Sequence, residues 1–292
     1  MEALMTPSRS TAALGRGDAA LHEFSVEASR RLRADGRCGF FALQDAFKHL
    51  VFGTDFLHST ALAELGRIAE NTRHESARWE PDHILIAGDL AWQLRIGLYA
   101  RASDFVYTLP FDLMVAVIDP RGLRVARPSL PEGMVNEVFD PAIRLPTLRY
   151  ETVPGGEVFV VDGSRELLDI QVERPVLVVK LNTSVRDALQ WAFDRQTGSA
   201  VQAIAADPLD SELVSTLRAL ASMQRGASVE PVRALTCHRR HFVRWAAIQC
   251  LARLAPELAV DALRAAAVDS HPHIAQAAAH TLSRLGQKAM AA

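Results

Sequence analysis

The sequence predicts a multidomain α and β protein: an antiparallel β-sandwich flanked by N-terminal helices and by a C-terminal array of helical repeats. Three observations predict it. Apolar residues recur at helical spacing over residues 19–80. Short runs rich in β-branched and aromatic residues, punctuated by Gly, Pro, Asp or Asn, then fill residues 81–183. Finally, the apolar frame of residues 207–292 repeats at a fixed offset.

Residues 1–18 are rich in Ser, Thr, Gly and Arg and read as a flexible tail. In "LHEFSVEASRRLRADG", Leu21, Phe24, Ala28 and Leu32 share one helical face, and Gly36 supplies a stop. Phe40, Leu43, Phe47 and Leu50 predict a second helix ending at Gly53, and Leu62, Leu65 and Ile68 a third. Eight or nine strands follow; "EVFVVDG" and "WQLRIGLYAR" alternate most clearly. Turn signals at such close spacing predict an antiparallel sandwich rather than βαβ units. Residues 184–206 read as a connecting helix, with Val185, Leu189 and Phe193 on one side.

A chain of 292 residues has room for more than one core, and 49% hydrophobic residues are enough to fill them. With 32 basic against 34 acidic side chains the net charge is -2, so neither nucleic acid nor an anionic membrane is an expected partner. Cys38, Cys237 and Cys250 make no disulfide framework. No apolar run has the length of a signal peptide core or a membrane span, and the expected location is the cytoplasm.

In the last third, "LASMQRGASVEPVRAL" (220–235) aligns with "LARLAPELAVDALRAA" (251–266) at an offset of 31 residues. One further step matches Val243 to Ile274, Ala247 to Ala278 and Leu251 to Leu282. Each unit reads as two antiparallel helices. With "HFVRWAAIQCLARL" and "PHIAQAAAHTLSRLG", the pattern resembles the HEAT-like repeat family in its short bacterial form. The resemblance implies an adaptor whose stacked helices offer a surface to a protein partner. In this register Cys237, His238, Arg239, Arg240 and His241 form a turn between helices. His238, Arg239, Arg240 and Arg244, with His271 and His273 from the next turn, are the candidate partner-binding residues, suited to an acidic surface. Cys237 with these histidines has metal-binding chemistry but no CxxC pair, so no metal is expected.

Residues 92–122 and 150–181, with the Pro154-Gly155-Gly156 turn between strands, resemble a cupin-type jelly roll. That family's metal centre needs histidines, whereas from Ile84 to Ser270 only His238 and His241 occur. A metal-free domain without cofactor is therefore expected. Arg95, Tyr99, Tyr107, Asp112 and Arg149 lie on strands or their ends and are the candidate pocket residues for a small-molecule ligand. Two rival readings use the same domain. One is an enzyme with a cupin-like pocket lacking a histidine-bound metal. The other is a cyclic-nucleotide-type sensor, suggested by Gly156-Glu157 but without the Arg-containing phosphate cradle. No GxGxxG, Walker lysine or GxSxG elbow is present.

Overall fold

The computed structural model describes residues 18–73, 79–80, 83–223 and 229–291. The tail expected over residues 1–18 lies outside these except for Asp18. The chain divides into two units. The first takes residues up to Glu132, Pro141–Arg186 and Ala192–Val201; the second takes Gly133–Asp140, Asp187–Trp191 and the chain from Gln202 onward.

The first unit opens with helices α1 (Ala19–Phe41), α2 (Gln44–Phe52) and α3 (Phe56–Glu70). The Asp18 carboxylate accepts the Leu21 N–H at 3.0 Å, satisfying an orphan donor of the first turn of α1. Gly36 takes a positive φ of 53°, which kinks the helix where the sequence placed its stop, and helical turns resume to Phe41. In α3 the three-residue step that predicts the helix does not mark its buried face. Leu62 and Leu65 are 54% and 61% exposed, while Phe56, Thr60 and Glu64 are buried. A strict three-residue step drifts about 60° around the helix at each repeat, whereas a four-residue step holds one face better.

The sandwich contains β1 (Trp79–Glu80), β2 (His83–Gly88), β3 (Trp92–Tyr99), β4 (Phe105–Thr108), β5 (Leu113–Val117) and β6 (Leu123–Ala126). It continues with β7 (Tyr150–Val153), β8 (Val158–Val161), β9 (Leu167–Gln171), β10 (Val176–Thr183), β11 (Leu189–Asp194) and β12 (Ala200–Ala205). One sheet runs β1-β2-β3-β10-β5-β8 and the other β12-β11-β4-β9-β6-β7. Its pairs are nested and antiparallel: β3 with β10, β4 with β9, β5 with β8, β6 with β7. A long hairpin rolled on itself in this way is a jelly roll.

Helices α1–α3 cover the outer face of the first sheet. Phe24, Phe40, Phe47 and Phe56 pack with Trp92, Leu94, Met114 and Leu181 in one core. Between the sheets, Val115, Val117, Val125, Phe159 and Val178 form a second core. Strands of the first sheet are thus covered on both faces, which explains why β5, "LMVAV", is buried at every position rather than alternating.

Residues 184–206 are not the expected helix but contain β11 and β12. The spacing of Leu189 and Phe193 fits both a helix turn and a strand period, and buried Trp191 between them decides for the strand. Thr197-Gly198 turns the chain, with φ 67° at Gly198.

The second unit contains α4 (Pro208–Met223), α5 (Val229–Ala234), α6 (His241–Leu254), α7 (Pro256–Ala266) and α8 (Pro272–Ala291). Helices α4 and α6 end, and α6 and α8 begin, 31 residues apart, matching the sequence repeat. Val243, Ala247 and Leu251 are fully buried, and their counterparts Ile274 and Ala278 are also buried.

Candidate functional site

In the second unit, residues 238–240 form the turn leading into α6, preceded by a short 3-10 helix over Leu235–Cys237. Arg240 and Arg244 are turned inward to ion pairs. Arg240 Nε donates to Asp210 at 3.0 Å, with both side chains mostly buried. Arg244 grips Asp269 through Nε at 2.8 Å and Nη2 at 2.6 Å, and its Nη1 donates to the His238 carbonyl at 3.0 Å. Burial opposes ionisation of Asp269, but Arg244 and the His271 N–H hold its pKa below the usual carboxylate value. His271 is buried, with Nε2 2.7 Å from the Glu137 carbonyl. These three residues therefore do structural duty, while Arg239 and His273 stand exposed and His238 half-exposed.

His241 stacks face to face on His271 at 3.7 Å, with His273 edge-on to His271 at 5.4 Å. Burial, followed by His271 and Arg244, lowers the His241 pKa to about 4, with Asp269 opposing. The His241 ring also borders a cleft of about 620 Å³ within this unit. Phe242, Trp245, Val214, Ile274, Arg218 and His273 line it, and no carboxylate among the described residues does. None of the sequence signals singled out Trp245 or Arg218, because a single aromatic in a helix reads equally well as core.

In the first unit the strand register sorts the ligand candidates. Leu94 and Ile96 join the helix-covered core, so Gln93, Arg95 and Tyr99 face the interior of the jelly roll. Arg95 lies opposite Lys180 in register, donates to Asn182 Oδ1 at 3.3 Å and bonds Gln93. Lys180 sits over the Tyr99 ring at 5.2 Å. Tyr107 pairs with Leu168, whose side chain joins the inner core, and so faces the same interior. Arg149 is exposed beside β7.

Asp112 requires a correction. Its carboxylate is 1% exposed and accepts from Arg37 Nε at 2.6 Å, Arg37 Nη2 at 2.8 Å, the Gly163 N–H at 3.1 Å and Arg186 at 3.4 Å. It ties α1 to the strand ends and has no face toward a ligand. Gly163 is required here, because a Cβ would collide with the Phe111 carbonyl. Glu157, of the Gly-Glu segment, is engaged by Lys48 at 2.6 Å.

Two cations and two phenols inside a jelly roll do not fit a divalent metal, which needs neutral imidazole, thiolate or carboxylate donors. Among the described residues no cluster of three or more His, Cys, Asp or Glu could hold one. None of the described helices is long and apolar enough to cross a membrane.

The class defined by these two units is a jelly roll combined with a HEAT-like helical array. The family model described as HEAT repeats matches residues 198–283. No curated protein matches the chain. Among solved structures, hydroquinone 1,2-dioxygenase from Sphingomonas sp. with 4-hydroxybenzoate bound is 11% identical. It covers 38% of this chain and 70% of its own, with a TM-score of 0.28. KdgF from Halomonas sp. is 16% identical over 40% of this chain and 93% of its own, with a TM-score of 0.24. An RmlC-like cupin from Shewanella frigidimarina is 8% identical over 36% and 76%, with a TM-score of 0.24. The jelly-roll assignment rests on the nested strand order.

Proposed function

We propose that the protein is a cytoplasmic, non-enzymatic adaptor whose HEAT-like unit docks a segment of a protein partner in the cleft between α4, α6 and α8. The observation that carries this reading is the cleft lining: two aromatic side chains, Phe242 and Trp245, beside the lone formal charge of Arg218. Aromatic walls supply apolar anchoring area, and an unopposed guanidinium selects a carboxylate, so the occupant is an apolar segment carrying an acidic residue. Exposed Arg239 extends the same preference from the turn before α6. The test is affinity purification from the native host followed by crosslinking from exposed Gln249 at the cleft. One stoichiometric protein, crosslinked through an acidic-apolar segment and lost with Arg218→Glu, is the expected result. Capture unchanged by both Arg218→Glu and Trp245→Ala refutes the site.

A second reading has its own observation. Arg95 and Lys180 opposite one another, with Tyr99 and Tyr107, give the jelly-roll interior the chemistry for a small anionic ligand. Native mass spectrometry beside a denatured sample tests it: a small mass lost on denaturation is expected, and a bare chain mass argues against a resident ligand.

A further inference from the structure

A further cationic site lies on the outer face of the jelly roll. Arg124 on β6 is in register with Thr152 on β7 and Gln171 on β9, forming one row across the outer face of the second sheet. Arg121 from the turn before β6, Arg174 from the β9–β10 turn and Arg195 after β11 join that row. Together they line a cleft of about 650 Å³, in which Glu173 is the lone carboxylate among the described lining residues.

The site is built rather than merely charged. Arg195 Nη1 donates to Asp169 at 2.5 Å and its Nε to the Ser103 carbonyl at 2.8 Å, which fixes the guanidinium plane. Asp169 is buried, and it also accepts the Tyr150 hydroxyl at 2.5 Å. The Tyr150 ring in turn supports Arg124, whose guanidinium carbon lies 5.1 Å from the ring centroid. One Tyr150–Asp169 pair thus orients two arginines of the cleft. Arg121 is held by Asp119 at 2.9 and 2.5 Å. Arg124 and Arg174, by contrast, have no carboxylate in ion-pair range among the described residues.

Asp119 and Asp169 offset Arg121 and Arg195, so the excess positive charge of the cleft rests on Arg124 and Arg174, with Glu173 opposing, and an oxyanion between those two arginines is attracted. The planar fork of Arg pairs with phosphate oxygens two at a time, and Thr152 and Gln171 offer hydrogen bonds to a hydroxylated body. We propose that this cleft binds a small, soluble phosphate monoester, with Arg124 and Arg174 as the groups that contact the phosphate. The site is independent of the partner cleft and of the jelly-roll interior.

The test uses the full chain and inorganic phosphate as the probe. The thermal unfolding midpoint is followed against phosphate concentration, with chloride at equal ionic strength as the reference. Phosphate is expected to raise the midpoint above chloride. The variant Arg124→Gln with Arg174→Gln, both at exposed positions, should weaken the apparent phosphate affinity about tenfold or more. A phosphate effect no larger than that of chloride, or one that persists unchanged in the double variant, overturns the site. Sedimentation with vesicles containing phosphatidic acid separates the sources of the phosphate: co-sedimentation overturns the soluble ligand, and its absence supports it.

Discussion

The two units bury their elements with different side chains. In the jelly-roll unit the core between helices and sheet is built from Trp92, Phe24, Phe40, Phe47, Phe56 and Met114. In the helical unit the comparable core is mostly small: Ala221, Val232, Val243, Ala246, Ala247, Cys250, Leu251 and Ala259. Large aromatics fill the wide, uneven gap between helices and a twisted sheet, while alanines let helix backbones approach closely. Both units nevertheless lock their geometry with arginines paired to buried or mostly buried aspartates. Arg37 fastens Asp112 in the first, and Arg240 and Arg244 fasten Asp210 and Asp269 to either side of α6 in the second. Burying an aspartate against its own arginine favours one arrangement of chains, because other arrangements leave the charge unpaired.

The comparison is broken most severely at Asp112. Asp112→Ala leaves the buried Gly163 N–H and the half-exposed guanidiniums of Arg37 and Arg186 without their shared acceptor, although Arg37 keeps Asp162, and an expected loss of about 3–4 kcal/mol follows. Urea unfolding of the variant measures it, and a loss below about 1 kcal/mol means that Asp112 is not a structural anchor. The equivalent lesion in the helical unit, Asp269→Ala, strands Arg244 but leaves it two backbone carbonyls. A smaller loss, about 2–3 kcal/mol, is expected by the same measurement.

The histidine stack sharpens the contrast in acid. His241 has a folded-state pKa of about 4, below its unfolded value, so the native state binds fewer protons. Its contribution is complete above about pH 6.5 and is lost as pH falls toward 4; over that window it is on the order of 3 kcal/mol. The neighbouring His271, His273 and Arg244 oppose its charge, while Asp269 and Glu137 favour it. His241→Leu should flatten the stability–pH curve between pH 6.5 and 4 relative to the parent; parallel curves would remove His241 as the cause. The smallest effect is expected on α3. Leu62→Gln and Leu65→Gln should each change stability by less than about 0.5 kcal/mol, since both residues are exposed.

The helical unit was the more legible of the two, because its information is local and repeated. A 31-residue offset places His241 and Pro272 at equivalent helix starts without any knowledge of distant contacts. In the sandwich, local alternation marks a strand but not its neighbour, and β3 pairs with β10 from far along the chain. The stretch over β11 predicts a helix in sequence but forms a strand, because two apolar residues four apart satisfy both periods. Of the candidate residues, Arg95, Tyr99 and Tyr107 share the jelly-roll interior, whereas Arg240, Arg244, His271 and Asp112 are occupied by internal partners. A charged residue in a turn has the same appearance in sequence whether it faces water or a carboxylate.

By itself, then, the sequence determined the class of each region, the helix pairs and their register, and the absence of a histidine ligand set across the strands. These follow from periodicity and composition, which act over a few residues. Only the tertiary structure decided which face of each strand is inner, which arginines are neutralised and which remain free to meet a ligand. It alone gathered Arg121, Arg124, Arg174 and Arg195 from separate turns and strands into one cleft. The reason is physical: electrostatic and hydrogen-bond partners are chosen across space, by burial and distance, and no local pattern encodes them.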